Sequence, residues 1–424
     1  MSYELSKKKI NGLVLSGGGA LGAYEVGAIQ AFNEKGIHFE VVTGTSIGAL
    51  NGAFYVGGQS QNLKKLWSNI TPTKVMVDGF NLNSKLLTNP ISDSFKSIKD
   101  WGKQYLNLKE GVGADITPFK QYIRNSLDVE ACKNSDIKFG ITTAKLPSYI
   151  PVDLCMNEIK DNDTYLAFLH ASSACFPIFP VETINEKKYV DGFYNDNVPM
   201  RLAFDYGADE LYVVDMKLFN KKPQHMFYLS LPNVHYIAPY ISLGSMMDFS
   251  QETIQKNMKL GYLDTKKYFG DYRGFYFAFK DVKPVDGFMS YILHNFGINA
   301  EYILKELSKD ITKKMDELDY FVRSVEIIAM RLGIDNYYEV YSLDDFVEIL
   351  RKQIEKLKEA EMLKSVFSKL IDNVNVAATI APSKIKSDYL IRFSVDFLNL
   401  VDENNKPLIN PIYLNSTNIK RRKD

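Results

Sequence analysis

The stretch that decides the fold is residues 41–53, VVTGTSIGALNGA. A short β-branched run ends at Gly44, the next residues fit the pattern G-x-S-x-G, and a helical pattern follows at once. A strand, a serine between glycines and a helix are the context in which this pattern marks a nucleophilic serine. Glycine at Gly44 and Gly48 removes the Cβ atoms that a sharp turn excludes, and the turn places Ser46 at the positive end of the helix dipole. We predict that Ser46 is a nucleophile.

A second glycine turn precedes this one. Residues 10–15 predict a buried strand, Gly17, Gly18 and Gly19 follow it, and residues 20–32 have helical spacing. N–H groups without side chains at a helix start can bind an anion. The carboxyl ends of neighbouring parallel strands meet at one edge of a sheet, where active sites of open α/β sheets lie. We therefore predict that the three glycines form an oxyanion hole, the alternative being that they only permit a tight turn.

The same glycines also fit a different function. Gly17, Gly19 and Gly22 match the dinucleotide-binding pattern G-x-G-x-x-G in a strand-to-helix turn. That pattern also requires an acidic residue at the end of the second strand, for the ribose. Glu40 is the candidate, but it lies at the beginning of that strand, so dinucleotide binding is disfavoured.

A candidate base comes from Asp191, which follows a strand-like run and precedes Gly192. This is the position that Ser46 has in its own turn, although an aspartate before glycine is also a common turn residue. Burial would raise the pKa of its carboxyl and make it a better base near neutral pH. His170 and His235 are the plausible third members of a triad, but neither lies in a glycine- or proline-framed turn. Ser172 and Ser173 are possible hydroxyls for a site, but the pattern favours turn or cap roles.

Composition bounds the class of protein. The chain has 424 residues, 46% of them hydrophobic, with 51 basic and 51 acidic side chains. The length indicates more than one domain, and the charge balance gives no reason to expect nucleic acid as a partner. Three scattered cysteines suggest a reducing compartment without a zinc site, and we expect no metal and no cofactor. We expect a cytoplasmic protein without signal peptide or transmembrane segment, since no apolar run approaches ~20 residues.

The pattern changes along the chain. Up to residue 284 strands alternate with helices, which indicates a mainly parallel, doubly wound sheet. From residue 285 helical spacing dominates, and the chain ends in a polar, basic tail. We therefore predict an α/β catalytic domain over residues 8–284 and a largely helical region over 285–424. Its helices are candidates for a lid, a lipid contact or an oligomer interface.

Taken together, three motifs resemble the patatin-like phospholipase family in its bacterial form. The first is the segment Gly17-Gly18-Gly19-Ala20, the second is the stretch from Gly44 to Gly52, and the third is Asp191 with Gly192. The resemblance covers about residues 8–268. It implies a three-layer α/β/α sandwich with a mainly parallel central sheet. It also implies a Ser–Asp dyad, Ser46 with Asp191, in place of a Ser-His-Asp triad.

The resemblance implies hydrolysis of lipid acyl esters, of the phospholipase A or lysophospholipase type. The substrate would be a membrane phospholipid or another acyl lipid, so peripheral membrane contact is expected. Two positions depart from the family pattern: Leu21 stands where an Arg or Lys is usual, and Phe193 where Gly or Ala is usual. An esterase, thioesterase or acyltransferase for soluble acyl substrates requires the same catalytic parts and remains the alternative.

Overall fold

The computed structural model describes most of the chain. The described residues are 8–77, 114–218, 223–283, 287–297, 300–309, 311 and 314–359. The basic tail predicted at the end of the sequence lies outside them. The chain divides into two compact units, Met1–Tyr268 and Phe269–Asp424.

Within the described residues, eight strands form the main sheet of the first unit. In chain order they are β1 Asn11–Leu15, β2 Val41–Thr45, β3 Lys138–Lys145, β4 Ile150–Cys155, β5 Glu182–Ile184, β6 Lys187–Asp191, β7 Glu210–Val214 and β8 Val234–Ile237. The order across the sheet is β5-β6-β3-β2-β1-β7-β8, with β4 also paired to β3. From β3 to β8 all neighbours on this path are parallel, which confirms the predicted mainly parallel sheet.

Helices cover both faces of this sheet. They are α1 Ala23–Glu34, α2 Ile47–Val56, α3 Ser60–Asn69, α4 Pro72–Val75, α5 Thr117–Ser126, α6 Val129–Lys133, α7 Asn162–Ser172, α8 Met200–Asp205, α9 Pro223–Leu229 and α10 Gln251–Tyr268. Val41 packs with Met200 of α8 in one buried cluster, whereas Val42 faces Gly52 of α2. Because successive strand residues point to opposite faces, α8 and α2 lie on opposite sides. The predicted three-layer arrangement is confirmed.

Several boundaries differ from the pattern. The helix predicted from residue 20 begins with a 3₁₀ turn, Gly19–Gly22, before α1. The helix predicted over residues 245–267 begins only at Gln251, because Asp248 accepts the N–H of Ser250 in a local turn. Strands β5 and β8 were not predicted. Both are short, with three and four residues, so each offers little periodicity to detect.

The described part of the second unit is mostly helical, as the sequence predicts for the C-terminal region. It contains β9 Ala278–Lys280, α11 Phe288–Phe296, α12 Ala300–Leu307, α13 Glu317–Arg331, β10 Val340–Ser342 and α14 Leu343–Glu359. β9 pairs in parallel with β10, so this unit includes residues before 285, where the helical pattern starts. Among the described residues, the continuous helical spacing over 288–332 is divided into the helices α11, α12 and α13. The first of them ends at Phe296, before Gly297, where φ is +48°.

The aromatic run over residues 273–279 is in a strand only at its end, at Ala278 and Phe279 of β9. Arg273 and Phe279 pair with each other, so the chain between them turns back on itself. The Glu326 carboxylate lies inside this turn, fully buried, and Oε1 accepts the N–H groups of Phe275, Tyr276 and Phe277 at 2.7–2.9 Å. One side chain on α13 thus satisfies three backbone donors of the turn.

Replacing Glu326 with alanine is expected to destabilise this turn by about 3–5 kcal/mol. The change leaves buried N–H groups without acceptors and removes the carboxylate beside the buried Arg323 guanidinium. Hydrogen exchange at the amides of Phe275 and Phe277 measures the effect as lost protection. Glu317→Ala is the matched control, because in the described part of the chain Glu317 accepts one backbone N–H, that of Met289, and a loss of about 1 kcal/mol is expected there. Equal protection in the two variants would contradict the role assigned to Glu326.

Along the described ranges, no helix is both long enough and apolar enough to cross a bilayer.

Candidate active site

Ser46 lies at a sharp turn between β2 and α2. Its φ is +57° and its ψ is −125°, a conformation that residues with side chains rarely adopt. A Cβ atom on Gly48 would lie 2.5 Å from the carbonyl oxygen of Leu15, and one on Gly44 would lie 2.5 Å from the backbone of Gly48. Both glycines are therefore required by direct backbone contact at the turn, and the turn holds Ser46 in its strained conformation.

Asp191 ends β6 and contacts Ser46 directly. The Ser46 hydroxyl donates to Oδ2 of Asp191 at 2.7 Å, and the N–H of Phe193 donates to Oδ1 at 2.9 Å. A Cβ atom on Gly192 would lie 2.4 Å from the carbonyl oxygen of Thr142, so the chain after Asp191 can take this path only with glycine. The two residues predicted as nucleophile and base are thus a hydrogen-bonded pair.

The register of β3 explains how residues so far apart in sequence meet. Thr142 pairs with Thr45 at the end of β2, and Thr143 pairs with Asp191 at the end of β6. Both residues also pair with β4, which occupies the other edge of β3. Strands β2 and β6 therefore lie end to end along one edge of β3. Their carboxyl ends face each other, and Ser46 and Asp191 stand at the junction.

Burial sets the electrostatics of the pair. Asp191 is 1% exposed and Ser46 is 8% exposed. Burial raises the pKa of the Asp191 carboxyl to about 7, against the lowering effect of the hydrogen bonds from Phe193 and Ser46. A carboxyl with this pKa takes up and releases a proton near neutral pH, which an exposed aspartate does not.

The glycine loop lies beside Ser46. The N–H of Gly17 donates to the carbonyl of Asn197 at 3.2 Å. For the N–H groups of Gly18 and Gly19, no acceptor is found among the described residues. Gly19 has φ +57° and lines a cavity together with Ser46. The donors of Gly18 and Gly19 therefore have no acceptor among the described residues, while the donor of Gly17 is already used.

The cavity at Ser46 has a mostly apolar lining. Its apolar side chains include Val75, Phe119, Ile178, Phe179, Met247 and Phe249. Its volume is about 30 Å³, room for no more than about two water-sized groups. A longer apolar group can enter only if lining side chains move, and methionines such as Met246 and Met247 adapt readily.

Leu21 and Phe193, which depart from the family pattern, are both buried. The Phe193 ring stacks on Tyr194 with centroids 4.2 Å apart, and neither residue is among those that line the cavity.

The two candidate histidines lie elsewhere. His235 contacts the Tyr268 hydroxyl and the Glu210 carboxylate. His170 is buried beside Phe119, and burial lowers the pKa of its imidazole to about 3. In the described part of the chain, no hydrogen bond joins either histidine to Ser46 or Asp191.

Glu40, the acidic candidate for a dinucleotide ribose, directly precedes β2, and its carboxylate accepts hydrogen bonds from Lys8 and from the N–H of Asn11 at the start of β1.

Three neighbours of the site were not predicted. Ser172, for which a turn or cap role is favoured by sequence, accepts the N–H of Ser46 and donates to the carbonyl of Thr142. Asn51 donates to the carbonyl of Gly22 and to the buried Glu25 carboxyl, which ties α2 to the end of the glycine turn. Asn197 contacts Gly17. All are polar residues next to a motif, but their partners are distant in sequence, so no local pattern identifies them.

One family model and several curated proteins match part of this chain. The family model described as "Patatin-like phospholipase" matches residues 13–204. A stretch of 44 residues is 59% identical to lysophospholipase nte1 of Aspergillus terreus and covers 10% of this chain and 3% of that protein. Lysophospholipase NTE1 of Debaryomyces hansenii is 23% identical over 207 residues, 48% of this chain and 12% of that protein.

These alignments span only a small part of the curated relatives' own length. Among solved structures, VipD from Legionella pneumophila superposes with a TM-score of 0.39 at 15% identity, covering 92% of each chain.

Proposed function

Because residues 13–204 belong to the patatin-like phospholipase family, we propose that the protein is a lipid acyl hydrolase of the phospholipase A or lysophospholipase type. The observation that carries the proposal is the buried hydrogen bond of 2.7 Å between the Ser46 hydroxyl and the Asp191 carboxylate. In this proposal the two residues act as a dyad that cleaves carboxylic esters through an acyl-enzyme.

Acylation begins with proton transfer from Ser46 to Asp191. The Ser46 Oγ attacks the ester carbonyl carbon, and the carbonyl oxygen becomes an oxyanion that the N–H groups of Gly18 and Gly19 stabilise. When the C–O bond to the leaving alcohol breaks, Asp191 returns its proton to that alcohol. The acyl group then remains on Ser46 as an ester.

Deacylation repeats the same steps with water. Asp191 accepts a proton from a water molecule, and the oxygen attacks the acyl carbonyl. The tetrahedral intermediate uses the same two backbone donors, and its collapse returns the proton to Ser46 Oγ and releases the fatty acid. A carboxyl with a pKa of about 7 suits both directions of transfer.

Three features favour a lipid acyl chain over a polar substrate. The cavity at Ser46 is apolar, its methionines can move, and the family is one of phospholipases. Peripheral contact with a membrane is part of this proposal, because such a substrate lies in a bilayer. A soluble acyl ester or thioester would use the same dyad and is the alternative outcome of the experiment.

The full chain is tested on lipid substrates and on soluble acyl esters. Vesicles of phosphatidylcholine and micelles of lysophosphatidylcholine are incubated with the protein, and released fatty acids are measured by mass spectrometry. A parallel sample is labelled with a fluorophosphonate and digested, to locate the labelled residue. We expect fatty acid release and a label on Ser46. A label at another residue would refute the dyad. Turnover of soluble acyl esters alone, with intact lipids, would replace the lipid assignment by the esterase alternative.

The activity is expected to depend on pH through Asp191. The carboxylate must be ionised to accept the serine proton, and burial raises its pKa to about 7. On a soluble p-nitrophenyl ester, kcat/KM should therefore fall about tenfold per pH unit below this value and level off above it. A profile measured from pH 5 to 9 at constant ionic strength checks this. A rate that stays flat down to pH 5 would mean that no group with a raised pKa controls catalysis.

A further inference from the structure

Two consecutive residues, Asp196 and Asn197, contact both of the other catalytic segments. They follow Asp191 in the same loop, before α8. The carbonyl of Asp196 accepts the hydroxyls of Thr45 at 2.8 Å and of Thr142 at 3.3 Å. Thr45 directly precedes Ser46, so this carbonyl fixes the loop against the strand that carries the nucleophile.

Asn197 makes two hydrogen bonds to Gly17, one to its N–H group and one to its carbonyl. Its backbone carbonyl accepts the N–H of Gly17 at 3.2 Å, and its side-chain Nδ2 donates to the carbonyl of Gly17 at 3.1 Å. Asn197 is buried, with 7% exposed. A Cβ atom on Gly17 would lie 2.4 Å from Asn197 Oδ1 and 3.0 Å from the Cβ of Ser46. A side chain on Gly17 would therefore clash with Asn197 and crowd Ser46.

The hydrogen bond from Asn197 Nδ2 to the carbonyl of Gly17 also affects the N–H of Gly18. The carbonyl of Gly17 and the N–H of Gly18 belong to one peptide group, which is planar and trans, so they point in opposite directions. A hydrogen bond that holds the carbonyl of Gly17 therefore also sets the direction of the Gly18 N–H. Asn197 thus orients a donor that it does not itself touch.

A buried histidine also contacts the segment of Asp196 and Asn197. His225 on α9 is 4% exposed, and its Nε2 lies 2.7 Å from Oδ1 of Asp196. That carboxylate oxygen also accepts the N–H of Val198. The loop is therefore held on one side by His225 and on the other by the threonines of β2 and β3. Asn197, between them, has little freedom to move.

We propose that Asn197 is a positioning residue, which sets the direction of the Gly18 N–H toward the oxyanion formed at Ser46. The inference rests on the proposed function. It adds a residue outside the dyad and the glycine loop whose side chain contributes to transition-state stabilisation without contacting substrate. The hydrogen bonds to the Asp196 carbonyl and to the backbone carbonyl of Asn197 do not use the side-chain amide, so a substitution of Asn197 removes only the bond from Nδ2.

The test compares Asn197→Ala and Asn197→Asp with the unchanged chain on a soluble ester. Both variants lose the donor to Gly17, and Asn197→Asp keeps the shape of the side chain. We expect kcat to fall about 10- to 100-fold, since misplacing one oxyanion donor has effects of this size. KM is expected to change less than about twofold, because the donor acts in the transition state.

The Ki of a trifluoromethyl ketone inhibitor distinguishes a positioning role from a merely structural one. Its adduct with Ser46 carries an oxyanion, so its Ki should rise by the same factor as kcat falls. Fluorophosphonate titration gives the fraction of folded, reactive sites, and kcat is expressed per reactive site. A loss of kcat with an unchanged Ki would overturn the proposal.

Asn195→Ala is the matched control. Asn195 lies in the same loop and also donates through Nδ2 to a backbone carbonyl, that of Tyr149, away from the glycine loop. We expect its kcat per site to stay within about twofold of the unchanged chain.

Equal kcat in the Asn195 and Asn197 variants would refute the positioning role. Turnover in Ser46→Ala would instead refute the proposed function. An inactive Ser46→Ala beside fully active Asn197 variants would remove only this inference.

Discussion

Replacing Ser46 with alanine is expected to lower ester turnover by a factor of about 10⁴ to 10⁶. The alanine variant has no nucleophile, so no acyl-enzyme forms, and only the oxyanion donors and the cavity can still assist attack by water. Fatty acid release from lysophosphatidylcholine measures the loss, and fluorophosphonate labelling should disappear with it. The fold should remain, because the methyl group occupies the place of the serine Cβ without a new contact.

Ser173→Ala is the control for this change. Ser173 also lines the cavity, but its hydroxyl donates to the carbonyls of Leu169 and His170 and not to the dyad. Its turnover is expected to stay within a few-fold of the unchanged chain, at a cost of about 1 kcal/mol in stability. If Ser46→Ala and Ser173→Ala lost turnover equally, the cavity rather than the nucleophile would be limiting.

Asp191→Asn is expected to reduce kcat about 10³- to 10⁴-fold, a loss of the size seen when a catalytic acid is replaced by its amide. The amide keeps the shape of the carboxylate but cannot accept the proton of Ser46. The pH dependence of the remaining activity should also lose the step near 7, since the group that titrates there has been removed. A variant that keeps this step would show that a different group is the base.

The same substitution is expected to stabilise the fold at alkaline pH. Burial raises the pKa of Asp191 from 3.8 to about 7, so the native state binds the proton more tightly than the unfolded chain does. Stability contributed by Asp191 is therefore lost as pH rises from about 4 through 7. Asparagine cannot ionise, and Asp191→Asn should have a higher Tm than the unchanged chain at pH 8. A lower Tm would contradict the raised pKa.

Two histidine variants separate a dyad from a triad. His235→Ala and His170→Leu are expected to retain most of their turnover, because neither imidazole bonds Ser46 or Asp191 among the described contacts. Leucine is chosen for the buried position because His170 Nδ1 has no hydrogen-bond partner among the described residues, and a side chain of similar size leaves little cavity. A folded but inactive His170→Leu variant would restore a triad.

Much of the fold was predictable because its signals are local. The β-branched run before Gly44 and the helical spacing after Gly48 lie within thirteen residues, and the same strand–glycine–helix order occurs at Gly17. Patterns of period 2 and 3.6 therefore indicate a parallel α/β sheet without knowledge of the partners. One prediction that failed involves a long-range contact. The run at residues 273–279 has the composition of a strand, yet the carboxylate of Glu326 organises it into a turn.

The polar neighbours of the site illustrate the same division. Asn197 lies in the segment Asn195-Asp196-Asn197-Val198-Pro199, which by composition is a turn. Its partner Gly17 is 180 positions away. Ser172 lies at the end of a helix, where a serine is ordinarily a cap, and its partner Ser46 is 126 positions away. Residue type and local spacing carry no information about such partners.

By itself, the sequence determined the turn at Ser46, since Gly44 and Gly48 lie within two positions of the serine and steric exclusion between near neighbours is a local property. It also indicated Asp191 as a strand end before a glycine. Only the tertiary structure decided that these two turns face each other, across 145 positions. The register of β3 places the carboxyl ends of β2 and β6 opposite each other. Register depends on pairing between distant strands. The same packing buries Asp191 and raises its pKa to about 7.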